Sequence, residues 1–181
     1  QFNLGTCYRD GTGCEQNHAL AAEWLEQAAL PGAADAQCSL GLAYKLGRGV
    51  PQSHGKAFEL YNQSAASGNA DAQRNLGCCY RDGTGCEQYY ELAAEWWEKA
   101  ALQGHARAQC SLGFAYDYGQ GVPQSHGKAL ELYNQSAASG NADAQCHLGC
   151  CYRDGTGCEQ NHELAAEWHE IAGLQGHARV S

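Results

Sequence analysis

The sequence predicts an all-α fold, a right-handed α-solenoid superhelix built from five helix-turn-helix repeats of 36 residues. A Leu-Gly pair returns at this fixed spacing, and a tyrosine follows each of these leucines by four residues. Apolar residues recur at helical intervals on both sides of a Gly-x-Gly turn, and we find no strand pattern. The whole chain, residues 1–181, is therefore expected to form a single repeat array. The repeats start near Leu4, Leu40, Leu76, Leu112 and Leu148.

The first helix of each repeat, helix A, is clearest in the third repeat, over residues 70–82. Its apolar residues Ala72, Leu76, Cys79 and Tyr80 follow helical spacing. We expect the helix to end at the turn that begins with Gly83, because glycine readily adopts the left-handed backbone that helix ends need.

The second helix, helix B, is predicted over residues 91–102, with Trp96 and Trp97 on its apolar side. Gly104 closes it, and the next helix A follows. In four repeats the residue before helix B is a good N-cap, able to accept hydrogen bonds from free backbone N–H groups. These N-caps are Asn17, Ser53, Ser125 and Asn161.

The repeats alternate between two types, so the longer unit of the sequence is a pair of 72 residues. The first, third and fifth repeats share Tyr-Arg-Asp-Gly-Thr-Gly-Cys-Glu-Gln, and the second and fourth share Gly-Val-Pro-Gln-Ser-His-Gly-Lys-Ala. Because the copies are nearly identical, we expect an array that grew by recent duplication and continues beyond these ends.

The pattern Leu-Gly-x-x-Tyr-x-x-Gly-x-Gly-Val, continued by Lys-Ala-x-x-x-Tyr over residues 40–61, resembles the Sel1-like repeat, a relative of the tetratricopeptide repeat. The resemblance covers every repeat. It implies an adaptor or scaffold, as in signalling, endoplasmic-reticulum quality control and bacterial host interaction. The odd repeats depart from the pattern, with Cys in place of Val and with Leu20, Leu92 and Leu164 in place of Lys.

Six of the 11 cysteines form pairs seven residues apart, one pair in each odd repeat. In the even repeats the same two positions hold Ala and Val, so the two positions change together. We expect a disulfide across the turn, feasible if the Cα atoms lie within about 7 Å and stabilising by roughly 2 kcal/mol. Two buried thiols copied with the odd repeat are the alternative. The predicted pairs are Cys7–Cys14, Cys79–Cys86 and Cys151–Cys158.

The other five cysteines lie on the predicted A helices. Successive A helices run side by side, so we expect Cys38–Cys78 and Cys110–Cys150 to cross-link neighbouring repeats. The alternative register is Cys78–Cys110, and Cys146 is the odd thiol. Zinc is a competing interpretation, but its usual C-x2-C spacing is not what these pairs show. We therefore expect no metal and no cofactor.

Cysteines in such number predict an extracellular location or another oxidising compartment. Asn62-Gln63-Ser64 and Asn134-Gln135-Ser136 agree, because both match the acceptor sequence for an N-linked glycan. The helical phase puts Tyr61, Ala65 and Tyr133 inward and both asparagines outward. An ordinary exposed polar residue is the alternative reading of each asparagine.

The charge distribution argues against two classes of partner. The net charge is −9, and Lys and Arg occur singly, so no basic patch is available for nucleic acid or an anionic membrane. No apolar run approaches the length of a membrane span, and we find no signal peptide.

One motif raises the possibility of catalysis. Ser53 with Lys56, and Ser125 with Lys128, match the Ser-x-x-Lys of β-lactam-recognising enzymes. The motifs that accompany it in those enzymes are absent. We expect instead that the serines are N-caps, that the lysines are ordinary repeat residues, and that the chain is not an enzyme.

The leading functional hypothesis is a secreted, open-ended array or fibre subunit that assembles head to tail with copies of itself. Gln1 corresponds to the middle of helix A, and residues 176–181 match the start of a sixth helix A, so neither end reads as a capping repeat. The contact between ends should mimic the joint over residues 66–76. The alternative is an adaptor that binds a protein or peptide on its concave helix-A surface.

Overall fold

The computed structural model describes residues 1–30 and 32–178. This part of the chain folds into ten α-helices with no strand, which confirms the predicted all-α repeat fold. Odd-numbered helices are the A helices and even-numbered helices are the B helices. The helices are α1 Phe2–Asp10, α2 His18–Ala29, α3 Ala34–Leu46, α4 His54–Ala66, α5 Ala70–Asp82, α6 Tyr90–Leu102, α7 Ala106–Tyr118, α8 His126–Ala138, α9 Ala142–Asp154 and α10 His162–Ala178.

The last helix differs from the prediction. α10 continues through residues 176–178, where the sequence predicted the start of a sixth helix A. In the other repeats a complete helix A follows and packs on the preceding helix, which favours a turn at this position over further helix. Residues 179–181, the rest of the predicted start, lie outside the described residues.

The chain divides into two compact units, an N-terminal unit over Gln1–Tyr89 and a C-terminal unit over Tyr90–Ser181. In the N-terminal unit α1 packs on α2 and α3 on α4, and α2 and α4 each pack on the helix A that follows. In the C-terminal unit α7 packs on α8 and α9 on α10, while α6 packs on α7 and α8 on α9. Each unit is thus a stack of helical hairpins.

The core of each unit is narrow and rich in alanine. In the N-terminal unit Leu25 and Leu40 lie among alanines, with Phe2, Tyr44 and Leu60 packed against them. In the C-terminal unit Tyr133 and Leu148 occupy the equivalent layer and are fully buried. Of the two tryptophans predicted on the apolar side of α6, Trp97 is buried and Trp96 is half-buried, as are Trp24 and Trp168 at the position of Trp96 in the first and fifth repeats.

The glycine of the Leu-Gly pair makes room for the facing helix B. A Cβ atom at Gly41 would lie 2.8 Å from Cε1 of Tyr61, and one at Gly113 would lie 2.8 Å from Cε1 of Tyr133. Real Cβ atoms do not approach carbon this closely. The repeated glycine therefore follows from the close packing of the two helices within a hairpin.

The turn between helices A and B has the same hydrogen bonds in every repeat. In the second repeat the carbonyl of Tyr44 accepts from the N–H of Ser53 at 2.9 Å. The side chain of Gln52 donates to the carbonyl of Lys45 at 2.9 Å. Gly47 adopts a left-handed backbone and ends α3, as predicted for this position. These hydrogen bonds close the turn in the second repeat, where Ala43 and Val50 stand in place of the two cysteines of the odd repeats.

The predicted N-caps of helix B are confirmed. The Asn17 side chain accepts from the N–H of Leu20 at 3.0 Å, and the Asn161 side chain accepts from that of Leu164 at 3.0 Å. The two serine caps do the same at longer distances, with Ser53 accepting at 3.4 Å and Ser125 at 3.5 Å. These contacts satisfy backbone donors that a helix start leaves unpaired.

Candidate protein-interaction surface

The helix-A face, where the adaptor hypothesis puts the partner, carries exposed apolar residues. Leu46 of α3 is 45% exposed, and Tyr118 of α7 is 60% exposed. The cleft beside Leu46 in the N-terminal unit holds only about 30 Å³. The cleft beside Leu46 is therefore small, and the apolar residues Leu46 and Tyr118 are exposed singly on α3 and α7.

A larger groove lies on the helix-B side of the N-terminal unit. It is lined by residues of α2, α3 and α4 and encloses about 450 Å³. Leu40 and Tyr44 of α3 lie at its floor, and Leu30, at the end of α2, stands at its edge. The Leu30 side chain is 86% exposed. The groove thus has an apolar floor and an apolar edge in contact with water.

Polar side chains hold the rim of this groove in place. The Tyr44 hydroxyl donates to the Glu26 carboxylate at 3.0 Å. The Lys56 ammonium lies 4.9 Å from the centre of the Tyr44 ring, within range of a cation–π contact. Gln37 donates to the side chain of Gln63 at 3.2 Å. The rim is therefore preorganised around the tyrosine that marks each repeat.

The C-terminal unit holds the same groove, with a volume of about 280 Å³. Its residues are the counterparts, 72 positions later, of those in the N-terminal unit, and the amino acids are identical. Leu102 is 83% exposed, and the Lys128 ammonium lies 5.0 Å from the Tyr116 ring centre. We call these two the B grooves. The B grooves were not predicted from the sequence, although a leucine recurs at the end of helix B in the odd repeats.

The lysine of each Ser-x-x-Lys motif lines a B groove, and both residues of the motif have structural roles. The Ser53 hydroxyl accepts the backbone N–H of Lys56, while the Lys56 ammonium faces the Tyr44 ring. Ser125 and Lys128 repeat this arrangement. The serine caps a helix and the lysine packs on an aromatic ring.

All 11 cysteines lie within the described residues, and the structure holds every one as a free thiol. None of the expected S–S bonds is therefore present in it. Within the fifth repeat, Cys158 packs against the buried cluster that includes Cys151. Its Sγ lies 3.6 Å from the Cys151 carbonyl oxygen. The two members of a turn pair are thus neighbours across the turn, and the disulfide stays a prediction.

Burial makes the inner thiols poor nucleophiles. It raises the pKa of Cys38 and of Cys151 to about 12, and that of Cys79 to about 11. The thiolate is the reactive form of cysteine, so these thiols react slowly in the folded state. Cys146 is exposed.

The cross-repeat pairs are located through the neighbours of Cys38 on α5. The Cys38 thiol makes a side-chain hydrogen bond with Asn75 and feels the charge of Asp71. This places Cys38 beside the turn of α5 that precedes Cys78. Cys78 is buried, and Cys110 and Cys150 of the second predicted pair are buried and half-buried. The pairs Cys38–Cys78 and Cys110–Cys150 stay predictions.

Both sequon asparagines, Asn62 and Asn134, are exposed, which confirms the predicted helical phase. The sequon serines have a separate structural role. Ser64 is fully buried and donates to the Ala34 carbonyl at 2.7 Å, and Ser136 donates to that of Ala106 at 2.7 Å. The serine in each sequon therefore ties helix B to the start of helix A, whether or not the asparagine carries a glycan.

Charged side chains form local pairs on the surface. In the odd repeats an arginine and the following aspartate pair at the end of helix A, as in Arg81–Asp82 at 2.6 Å. The hydrogen bond from Arg81 lowers the pKa of Asp82. Exposed pairs of this type contribute little to stability. No group of three or more His, Cys, Asp or Glu in the described chain is arranged to hold a metal ion.

Among the described helices, none combines the length and apolar character needed to cross a membrane. Stacked helical hairpins define the class of protein as an α-helical repeat protein. The family profile described as Sel1 repeat matches residues 1–30, 34–69, 70–105, 106–141 and 142–177. The chain therefore belongs to the Sel1 repeat family, as its motif indicated, and has that family's solenoid fold.

Two solved structures share more than the fold. A Sel1 repeat protein from Oxalobacter formigenes is 31% identical, with a TM-score of 0.91 over 97% of this chain and 70% of that one. The protective antigen c5321 of uropathogenic Escherichia coli, which displays the same fold, is 32% identical with a TM-score of 0.87; the match covers 97% of this chain and 38% of that one. A Sel1 repeat protein from Klebsiella pneumoniae is 21% identical with a TM-score of 0.60 over 97% of this chain and 85% of that one, and shows the fold alone. No curated protein matches the chain.

Proposed function

We propose that this chain is a non-enzymatic scaffold that binds another protein or peptide. The observation that carries the proposal is the exposed apolar groove that recurs once in each compact unit. Leu30 and Leu102 are more than four-fifths exposed, and their burial against a partner would remove apolar surface from water, which favours binding. Apolar surface framed by polar residues is typical of protein-interaction sites.

A library of random linear peptides displayed on phage tests the scaffold function. The immobilised chain should enrich peptides, and fluorescein-labelled copies of them should bind the free chain saturably. Unlabelled copies should displace the labelled ones. If no peptide is enriched above the bare matrix, the proposal is wrong.

Head-to-tail assembly into an open-ended array is the second candidate function. Apolar residues exposed on the first and last described helices support it: Leu4 is 39% exposed, Ile171 40% and Leu174 65%. Contacts of this kind repeat without closing and yield filaments. Sedimentation at increasing concentration should then show growing oligomers, and a monomer at every concentration would exclude this function.

We further propose an extracellular or other oxidising location, with disulfides Cys7–Cys14, Cys79–Cys86 and Cys151–Cys158 and with glycans on Asn62 and Asn134. The number of cysteines and the closeness of Cys158 to Cys151 support the disulfides. The exposure of both asparagines supports the glycans. The mass of the native protein before and after reduction and deglycosylation tests both. An unchanged mass on both treatments would contradict the proposed location.

A further inference from the structure

We infer that the partner docks in the B grooves rather than on the helix-A face. We also infer that the docked element is a linear peptide segment in which an aliphatic side chain stands beside a lysine or arginine. This rests on the proposed scaffold function and adds the site and the chemistry of its ligand. The observations that carry it are the shape, the sequence and the charge of the two grooves.

The shape of the groove fits one extended or helical segment. In the N-terminal unit the walls come from α2 and α4 and the floor from α3. Leu30 and the half-buried Leu60 face each other across an apolar floor that includes Leu40. A partner's aliphatic side chain that enters between them removes the exposed surface of Leu30 and part of that of Leu60 from water. Apolar side chains seated in such pockets supply most of the affinity of peptide docking.

The two faces of the molecule have diverged differently between the copies. The helix-A face changes from Leu42, Lys45 and Leu46 in the second repeat to Phe114, Asp117 and Tyr118 in the fourth. Every groove residue is unchanged between the groove formed by the first and second repeats and the groove formed by the third and fourth repeats, including the highly exposed leucine. An exposed leucine is not needed for packing. The B grooves therefore present one chemistry twice, whereas the helix-A face does not.

The charge of each groove favours a ligand that carries a positive charge. The N-terminal groove carries the carboxylates of Glu26 and Glu59 and the single cation of Lys56, which lies over the Tyr44 ring. The C-terminal groove repeats this set, and the whole chain carries a net charge of −9. An acidic segment would be repelled from both. A basic residue beside the aliphatic anchor reaches a carboxylate at the rim, which supplies selectivity and a faster encounter.

The experiment uses the selected phage library and four double variants of the full chain. The groove variant is Leu30→Ser with Leu102→Ser, and the charge variant is Glu59→Lys with Glu131→Lys. The matched charge control is Glu23→Lys with Glu95→Lys, which changes exposed glutamates on α2 and α6 outside the grooves. The helix-A variant is Leu46→Ser with Tyr118→Ser. All altered side chains are exposed, and circular dichroism checks that each variant is folded.

We expect the enriched peptides to combine aliphatic and basic residues. Their affinity should fall about tenfold or more in the groove variant, fall in the charge variant, and stay within about twofold in the two other variants. Peptides that bind the groove variant normally but fail on the helix-A variant would overturn the inference and leave the scaffold function intact. An acidic consensus would also overturn it. A library with no enriched peptide would overturn the scaffold function itself.

Discussion

At the residue scale, the two residues of the Leu-Gly pair have different roles in packing. In four of the five Leu-Gly pairs the leucine fills the core, while the glycine allows helix B to approach; the exception is Leu4, which is 39% exposed. Tyr61 and Tyr133 occupy the space that a side chain at Gly41 or Gly113 would take. Gly55, in contrast, lies in α4 with open space around it. The same amino acid is therefore required at one helical position and replaceable at another.

Replacing Gly41 by Ala should destabilise the protein. Alanine improves helix propensity by about 1 kcal/mol, but the added methyl meets the buried Tyr61 ring, and overpacking costs about 1–3 kcal/mol. We expect a net loss of about 1 kcal/mol. The control Gly55→Ala, at the second residue of α4, has no clash and should gain at most about 0.5 kcal/mol, the lower end of the range for the middle of a helix. Urea unfolding measures both. Equal effects of the two substitutions would contradict this packing account.

His147 should make stability depend on pH. Burial lowers its pKa below the usual 6.5, and this outweighs the raising effects of Asp117 and Asp143. The ring stacks on Tyr133 at 4.7 Å. The unfolded chain binds the proton more readily, so the stabilisation is present above the unfolded pKa and declines as the pH falls below it.

The test replaces His147 with Asn, the amino acid of its counterpart Asn75. The free energy of unfolding of wild type and variant is compared between about pH 7 and pH 5. Wild type should lose more stability than His147→Asn over this range, because only wild type carries the half-buried imidazole with the lowered pKa. Parallel pH profiles would show that the histidine is not responsible.

At the element scale, the Gly-x-Gly turn, which links helices A and B within a repeat, also contacts helix B of the preceding repeat. The second glycine has a positive φ in every repeat. In the second repeat this glycine, Gly49, lies against the backbone carbonyl of His18, the first residue of the preceding helix B. Gly85 lies in the same way against the carbonyl of His54. The turn is thus part of the contact between repeats as well as the link within one.

Gly49→Ala should therefore be far more damaging than Gly13→Ala. Both glycines have similar φ, 76° and 78°, so both substitutions carry a left-handed penalty of about 1–2 kcal/mol. Only Gly49 also faces a backbone carbonyl, whereas nothing lies within 4 Å of a Cβ at Gly13. Thermal unfolding should show the larger drop for Gly49→Ala. A similar drop for both would mean that the contact with His18 contributes nothing.

Features set by neighbouring residues could be predicted from sequence. The N-cap role of Asn17 and the end of α5 at Asp82 depend on contacts a few residues away, and both are confirmed. Features set by distant contacts could not. The exposure of Leu30 depends on how α2, α3 and α4 pack, and the neighbour of Cys38 depends on the register of successive A helices. The B grooves were missed for this reason.

At the scale of the whole molecule, the function follows from repetition. One groove alone is weak evidence of a binding site, because single apolar clefts are common on protein surfaces. Two grooves with the same side chains, in two compact units, give a chain two equivalent docking positions.

The measurement that tests this account most directly is the stoichiometry of peptide binding by titration calorimetry. A basic-aliphatic peptide from the library should bind wild type with two sites per chain. Leu30→Ser alone or Leu102→Ser alone should leave one site, and the double variant none. A single site in wild type, or two sites that persist in the double variant, would contradict the claim that the duplicated B grooves bind the partner.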